Sequence, residues 1–180
     1  ARPRAAGGGP LDERADRRES RRPSSARRGA SGDRPAGGSA ANTICGLAKL
    51  NVPTAFIGKI GDDETGRFFK DDLIRNGVQE KLSYSKTPSG RVAALITPDS
   101  ERTFATYLGA SIELNAEDIT PELFKGYYIC YIEGYLVQNH SLIEAACKAA
   151  KQSGCLVCID LASYNVVNEN REFLNGIIDE

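Results

Sequence analysis

Residues 36–66 read AGGSAANTICGLAKLNVPTAFIGKIGDDETG: two adjacent glycines, a helix pattern, a strand pattern and then a second glycine–acid turn. Ser39 to Asn51 mixes small and apolar residues and stops before Pro53, as a helix does. PTAFIGKIG follows as a strand. DETGRFFKDDLIRNG then reads as an amphipathic helix with Phe68, Phe69, Leu73 and Ile74 inward and Gly77 just past its end. A helix start needs only one capping side chain. The glycine pair therefore points to a ligand, because glycine lets backbone approach a bound group and the free N–H groups of a helix start favour polar or anionic partners. Asn42, on the first turn, offers both a donor and an acceptor, as a vicinal diol requires. A plain loop-to-helix turn explains the glycines equally well on these residues alone.

Downstream the pattern continues as alternating elements. GRVAALITP and RTFATYLG are β-rich runs separated by DSE, which predicts a hairpin. TPELF predicts a short helical turn, with Thr120 as cap and Pro121 first in the helix. GYYICYIEGYL reads as a strand, NHSLIEAACKAAKQSG as a helix ending at Gly154, CLVCIDLAS as a strand, and NENREFLNGIIDE as the beginning of a last helix. Strand–helix alternation with apolar strands predicts a three-layer, Rossmann-like α/β domain with a largely parallel sheet. The hairpin breaks that pattern and reads as a small β lid of about residues 81–110.

Composition divides the chain. Residues 1–36 hold ten Arg, no Lys, five acids and one large aliphatic, Leu11, whereas residues 37–180 hold five Arg, eight Lys and nineteen acids. Residues 1–35 carry too little apolar surface to offset chain entropy and read as a disordered Arg/Ala/Gly/Pro-rich leader. Its arginines alternate with acids and lack aromatics to stack on bases, which argues against nucleic-acid binding. The chain has no Met, which fits a fragment or a fusion. Residues 36–180 suffice for one domain with a core. Five cysteines, an odd number scattered through apolar segments, suggest reduced thiols and a cytoplasmic protein. Cys155 and Cys158 have CxxC spacing, but they lie in a strand where residues three apart face opposite ways, and the chain has one His. Buried structural cysteines are expected there rather than zinc ligands. No run reaches the length of a membrane span.

Taken together, GGSAAN, LAKLNVPTAFIGKIGDDETGRFF, LIRNGV and PSGRVAALITPDSERTFATYLGAS come in an order that resembles the PfkB, or ribokinase, family of sugar and nucleoside kinases, with an adenosine-kinase-like flavour. The resemblance spans residues 36–180 and implies a ribokinase-like domain with a β lid, apparently truncated. It implies that Gly37 and Gly38 form the hinge and backbone contact beside the substrate ring, and that Ser39 and Asn42 bond its hydroxyls. Leu95 and Thr106 would line the lid, Glu133 would be a sugar-binding carboxylate, and Tyr135 and Leu136 an apolar wall for a base. Asp160, at the end of a strand where ligands collect in open α/β sheets, is a weaker candidate; a turn cap is the alternative.

The resemblance further implies ATP and Mg2+ as cofactors of the complete enzyme, a small-molecule sugar or nucleoside as substrate, no membrane partner, and the option of a homodimer through the β lid. The sequence has no GAGD-type segment, which in this family supplies the anion hole and the catalytic Asp, and no NxxE metal motif. No catalytic or metal-binding residue is therefore assigned, and the chain alone is expected to be inactive. The other reading of the same residues is a non-catalytic Rossmann-like binding or dimerisation module.

Overall fold

The computed structural model describes residues 36–179, so the expectation of a disordered leader over residues 1–35 lies outside the described residues. The described residues belong to one compact unit.

The chain enters helix α1 (Ser39–Lys49) through Gly38. Strand β1 (Ala55–Gly61) follows, then helix α2 (Glu64–Arg75) and strand β2 (Gln79–Ser85), which runs parallel to β1 from Ala55↔Gln79 to Gly61↔Ser85. This βαβ unit is set by local chemistry. Asp63 caps α2 by accepting from the Gly66 N–H at 2.7 Å, and Gly77 leaves the helix at φ +78°, a conformation that favours glycine. Phe69 meets Phe56 of β1 edge to face, with ring centroids 5.4 Å apart. Lys70 of α2 pairs with Glu80 of β2 at 2.9 Å.

Strands β3 (Arg91–Ile96) and β4 (Arg102–Tyr107) form the antiparallel hairpin. Three 3₁₀ segments, the last being Pro121–Phe124, lead to β5 (Ile129–Ile132). A fourth, Gly134–Gln138, leads to α3 (His140–Gln152), and then come β6 (Leu156–Ile159), α4 (Tyr164–Glu169) and α5 (Arg171–Asp179). β5 and β6 are parallel from Ile129↔Leu156 to Ile132↔Ile159, a second βαβ unit.

The core surrounds α3. Ile143 and Ala150 are fully buried, and Ile132, Val137, Cys147, Val166 and Leu174 close one side. Phe124, Ala149 and Cys155 close the other, where Ile57 of β1 joins them. Lys59 of β1 bonds Asp118 at 2.8 Å, with both side chains largely buried.

Several expectations shift. The parallel strands form two pairs among the described residues, not one continuous sheet. Residues 81–85, placed at the start of the lid from the sequence, belong to β2; the hairpin begins at Arg91, because the polar run QEKLSYS is held by backbone pairing to β1. β5 stops at Ile132, so Tyr135 and Leu136 lie on the following 3₁₀ segment and not on a strand. The Thr120 side chain makes no capping hydrogen bond. The last helix, expected to begin at Asn168, begins earlier and is broken: α4 starts at Tyr164, capped by Ser163, and ends at Glu169, with α5 following from Arg171. Cys155 is buried and its thiol reaches the Tyr127 carbonyl at 3.0 Å, but Cys158 is exposed, since the alternation along β6 turns it outward. Among the described residues no helix is long and apolar enough to cross a membrane.

Candidate functional site

Gly38 precedes α1 at φ +111° with no side-chain cap, a backbone geometry open to glycine and strained for other residues. Among the described residues, a Cβ built on Gly37 or Gly38 meets no atom within 4 Å, so their side of the glycine pair is open. Gly37, Gly38, Ser39 and Asn42 are all exposed. The backbone N–H of Asn42 donates to the Gly38 carbonyl at 3.0 Å, and Thr43 Oγ1 donates to the Ser39 carbonyl, leaving the Asn42 amide facing solvent. The segment ahead of the helix is tied down where the Ala36 N–H donates to Asp72 of α2 at 3.0 Å. Chemically this is an uncovered helix start with a donor–acceptor amide beside it.

The hairpin is exposed along both strands, including Val92, Leu95, Ile96, Phe104 and Tyr107. Its register pairs Leu95 with Thr103 and Val92 with Thr106. Side chains alternate along a strand, so Leu95 shares a face with Ala93, Ala105 and Tyr107, and Thr106 shares the other with Val92, Phe104 and Ile96. The two predicted lid residues therefore stand on opposite faces and cannot both line one ligand.

The third group lies past the carboxyl ends of β5 and β6. Asp160 accepts from the Tyr131 hydroxyl, from the Gly134 N–H at 3.1 Å and from the Ala162 N–H at 2.8 Å. These bonds hold its carboxyl below the usual range against the opposing effect of burial. They also hold the Tyr131 phenol as a donor, pushed up to about 12 by the bond to Asp160 first. Asp160 is thus the acceptor that organises two turns. Beside it, Glu133 is half-buried, and burial first, then the Asp160 charge, pushes its carboxyl up. Tyr135 points to solvent, whereas Leu136 packs against the core beside Val137, so the expected apolar wall is not formed by the pair. Among the described residues, no hydrogen bond or ion pair joins the α1 start, the hairpin and the Glu133 group.

Sequence reading assigned no role to a cleft of about 480 Å3 lined by Ile57, Lys81, Ser83, Leu114, Asp118 and Leu123. Lys81 donates to the Leu123 carbonyl and lies 4.6 Å from the centre of the Tyr127 ring; burial pushes its ammonium down. β2 contributes consecutive residues from Gln79 to Ser83 to it, and no pattern in that run singled them out. His140 is exposed, yet its ring stacks on Phe173 at 3.8 Å and its Nε2 lies 2.8 Å from Asn170 Oδ1.

Among the described residues no group of three or more His, Cys, Asp or Glu side chains is gathered that could hold a metal ion, and the Asp160 oxygens accept from Tyr131, Gly134 and Ala162.

Residues 11–175 match the pfkB family carbohydrate kinase. The match begins upstream of the glycine pair, at Leu11. The chain is 32% identical over 131 residues to the probable fructokinase-5 of Arabidopsis thaliana, covering 69% of this chain and 40% of that protein. It is 31% identical over 145 residues to 5-dehydro-2-deoxygluconokinase of Clostridium perfringens, covering 74% of this chain and 43% of that protein. The crystal structure of adenosine kinase from Sinorhizobium meliloti superposes with a TM-score of 0.68 at 34% identity, over 77% of this chain and 44% of the enzyme. The chain thus spans about two fifths of the length of the relatives it matches.

Proposed function

The chain belongs to the pfkB carbohydrate kinase family, and from that premise we propose that it is the substrate-binding and lid portion of a sugar or nucleoside kinase. The complete enzyme would transfer the terminal phosphoryl of ATP, with a divalent cation such as Mg2+, to a primary hydroxyl of a furanose-type substrate. The carrying observation is the α1 start: Gly38 at φ +111° with open space beside it and the exposed Asn42 amide on the first turn. Gly37 and Gly38 give the ring its backbone contact, Ser39 and Asn42 bond its hydroxyls, and Glu133 accepts from a further hydroxyl. The sequence has no GAGD-type segment, the part that in this family supplies the anion hole and the catalytic Asp, so on this reading the chain alone binds without turning over; phosphoryl transfer depends on such positioned charge.

Calorimetric titration of the 180-residue chain with fructose, ribose and adenosine tests this reading. Asn42→Ala is expected to lose roughly 1–3 kcal/mol of binding, since hydroxyls buried against the site lose their partner. Gly38→Val should lose more, because a β-branched residue resists the backbone conformation found at Gly38. Cys45→Ala, one turn on, should bind like the parent. An Asn42→Ala chain that binds as the parent does removes the α1 start from the site.

The hairpin supports one partner. With apolar side chains exposed on both faces, one face covers the ligand and the other meets a second copy of the chain through Phe104 and Ile96. Phe104→Lys should shift the chain toward monomer in sedimentation. A parent chain already monomeric at high concentration refutes the dimer.

A further inference from the structure

The second glycine–acid turn, residues 61–66, has its partner inside the chain. Asp63 Oδ1 accepts from the Gly66 N–H at 2.7 Å and from the Ser89 hydroxyl at 2.7 Å. Oδ2 accepts from the Ser89 N–H at 2.9 Å and lies 3.6 Å from the Arg91 guanidinium. Ser89 is buried, and its Oγ accepts from the Gly61 N–H at 2.9 Å. Ser89 and Arg91 are on the leg by which the chain goes out to the hairpin. The returning leg is joined to it, for the Ala110 N–H donates to the Pro88 carbonyl at 2.9 Å and Ala110 is fully buried. The packing leaves no room for side chains. A Cβ on Gly66 would sit 2.2 Å from the Gly61 carbonyl oxygen, and one on Gly109 would sit 2.2 Å from the Pro88 carbonyl oxygen. Beyond this point the hairpin is exposed on every residue of both strands.

We infer that Asp63, Ser89 and the Gly61–Ala110 backbone around them form a clasp that pins both legs of the hairpin to the β1–α2 turn, so that the hairpin moves as one body about this point. One charged acceptor serves two elements: it caps α2 and it holds the outgoing leg. Asp63 is a positioning residue. The clasp does not depend on which ligand the α1 start takes.

Amide hydrogen exchange on the full chain tests it. In Asp63→Asn an amide N–H group faces the Ser89 N–H, so donor meets donor; in Asp63→Ser the helix cap survives but the side chain is too short to span to Ser89. Exchange at Gly61 and Ala110 should quicken about tenfold in both variants and in Ser89→Ala, while Ile143 and Ala150 in α3 keep the parent rates. The double variant Asp63→Ser/Ser89→Ala should add little to either single one. In 15N relaxation of the parent, β3 and β4 should share one order parameter below that of α3, and in the variants residues 88–91 and 107–110 should fall to join them. Unchanged exchange at Ala110 in all the variants overturns the clasp, and so does an acceleration spread equally through α3. Should Asp63→Ser not fold, Ser89→Ala, which leaves the α2 cap in place, decides alone.

Discussion

The hairpin and helix α3 are two ways of using apolar side chains. β3 and β4 carry Val92, Leu95, Ile96, Phe104 and Tyr107, each at least half exposed, while α3 buries Leu142, Ile143, Ala146, Cys147, Ala149 and Ala150. Burial removes water and contributes roughly 25 cal/mol per Å2 of apolar surface. That contribution is realised at α3 and still available at the hairpin. A strand pair with two dry-seeking faces and one anchored end is suited to covering something that arrives later. A helix enclosed on both sides is suited to holding the scaffold still.

The strongest way to break this contrast is to truncate both regions equally. Ile143→Ala should cost about 2–5 kcal/mol in chemical denaturation, because its site is fully enclosed and closes imperfectly around a cavity. Leu95→Ala, 61% exposed, should fall within about 0.5 kcal/mol of the parent. Equal losses would mean that the hairpin face is covered in solution.

A smaller effect sharpens the edge between scaffold and site. Glu133 is an acid whose carboxyl is raised in the folded chain, so its ionised form opposes folding above that raised pKa, and the penalty fades as pH falls toward the unfolded value. Glu133→Gln should therefore be more stable than the parent at pH 7, by up to about 1 kcal/mol after solvent screening, with the difference closing below about pH 4. Asp160, lowered by its bonds, works the other way: what it contributes is lost on acidification in parent and variant alike, so the difference reports Glu133. A Glu133→Gln variant less stable than the parent at pH 7 would show that the carboxylate is needed by the fold.

How much of this was legible depends on what carries each feature. α2 was readable because its ends are written in single residues, Asp63 and Gly77, on either side of an apolar stripe. β2 was missed because QEKLSYS has no apolar run; its strand character comes from bonds to β1, a partner the local sequence does not name. The family order identified the α1 start, and its open surroundings at Gly38 follow from backbone that glycine permits. Leu95 and Thr106 were paired by motif, but a face is set by register, and register is set by where Ile96 meets Arg102 across the loop. The placing of Leu136 differs for a similar reason: a strand was expected past Ile132, and a 3₁₀ segment packs that side chain, partly buried, against the core. As the cap of α2, Asp63 bonds the Gly66 N–H only three residues on. Its hold on Ser89 spans 26 residues of chain and was not legible.

The crowding at the clasp has a consequence for how freely this sequence can drift. Gly61, Gly66 and Gly109 each lie where a Cβ would come within 2.5 Å of a backbone oxygen. Backbone cannot swing aside as a side chain can, so a replacement at any one of them cannot be absorbed by trimming a neighbour. The three positions are separated along the chain yet share one volume, and a change that suits one does nothing for the others. Most of the hairpin, by contrast, can exchange one apolar residue for another at no steric cost. Natural variation should thus tune what the hairpin touches while leaving the point it hangs from fixed to a single residue type.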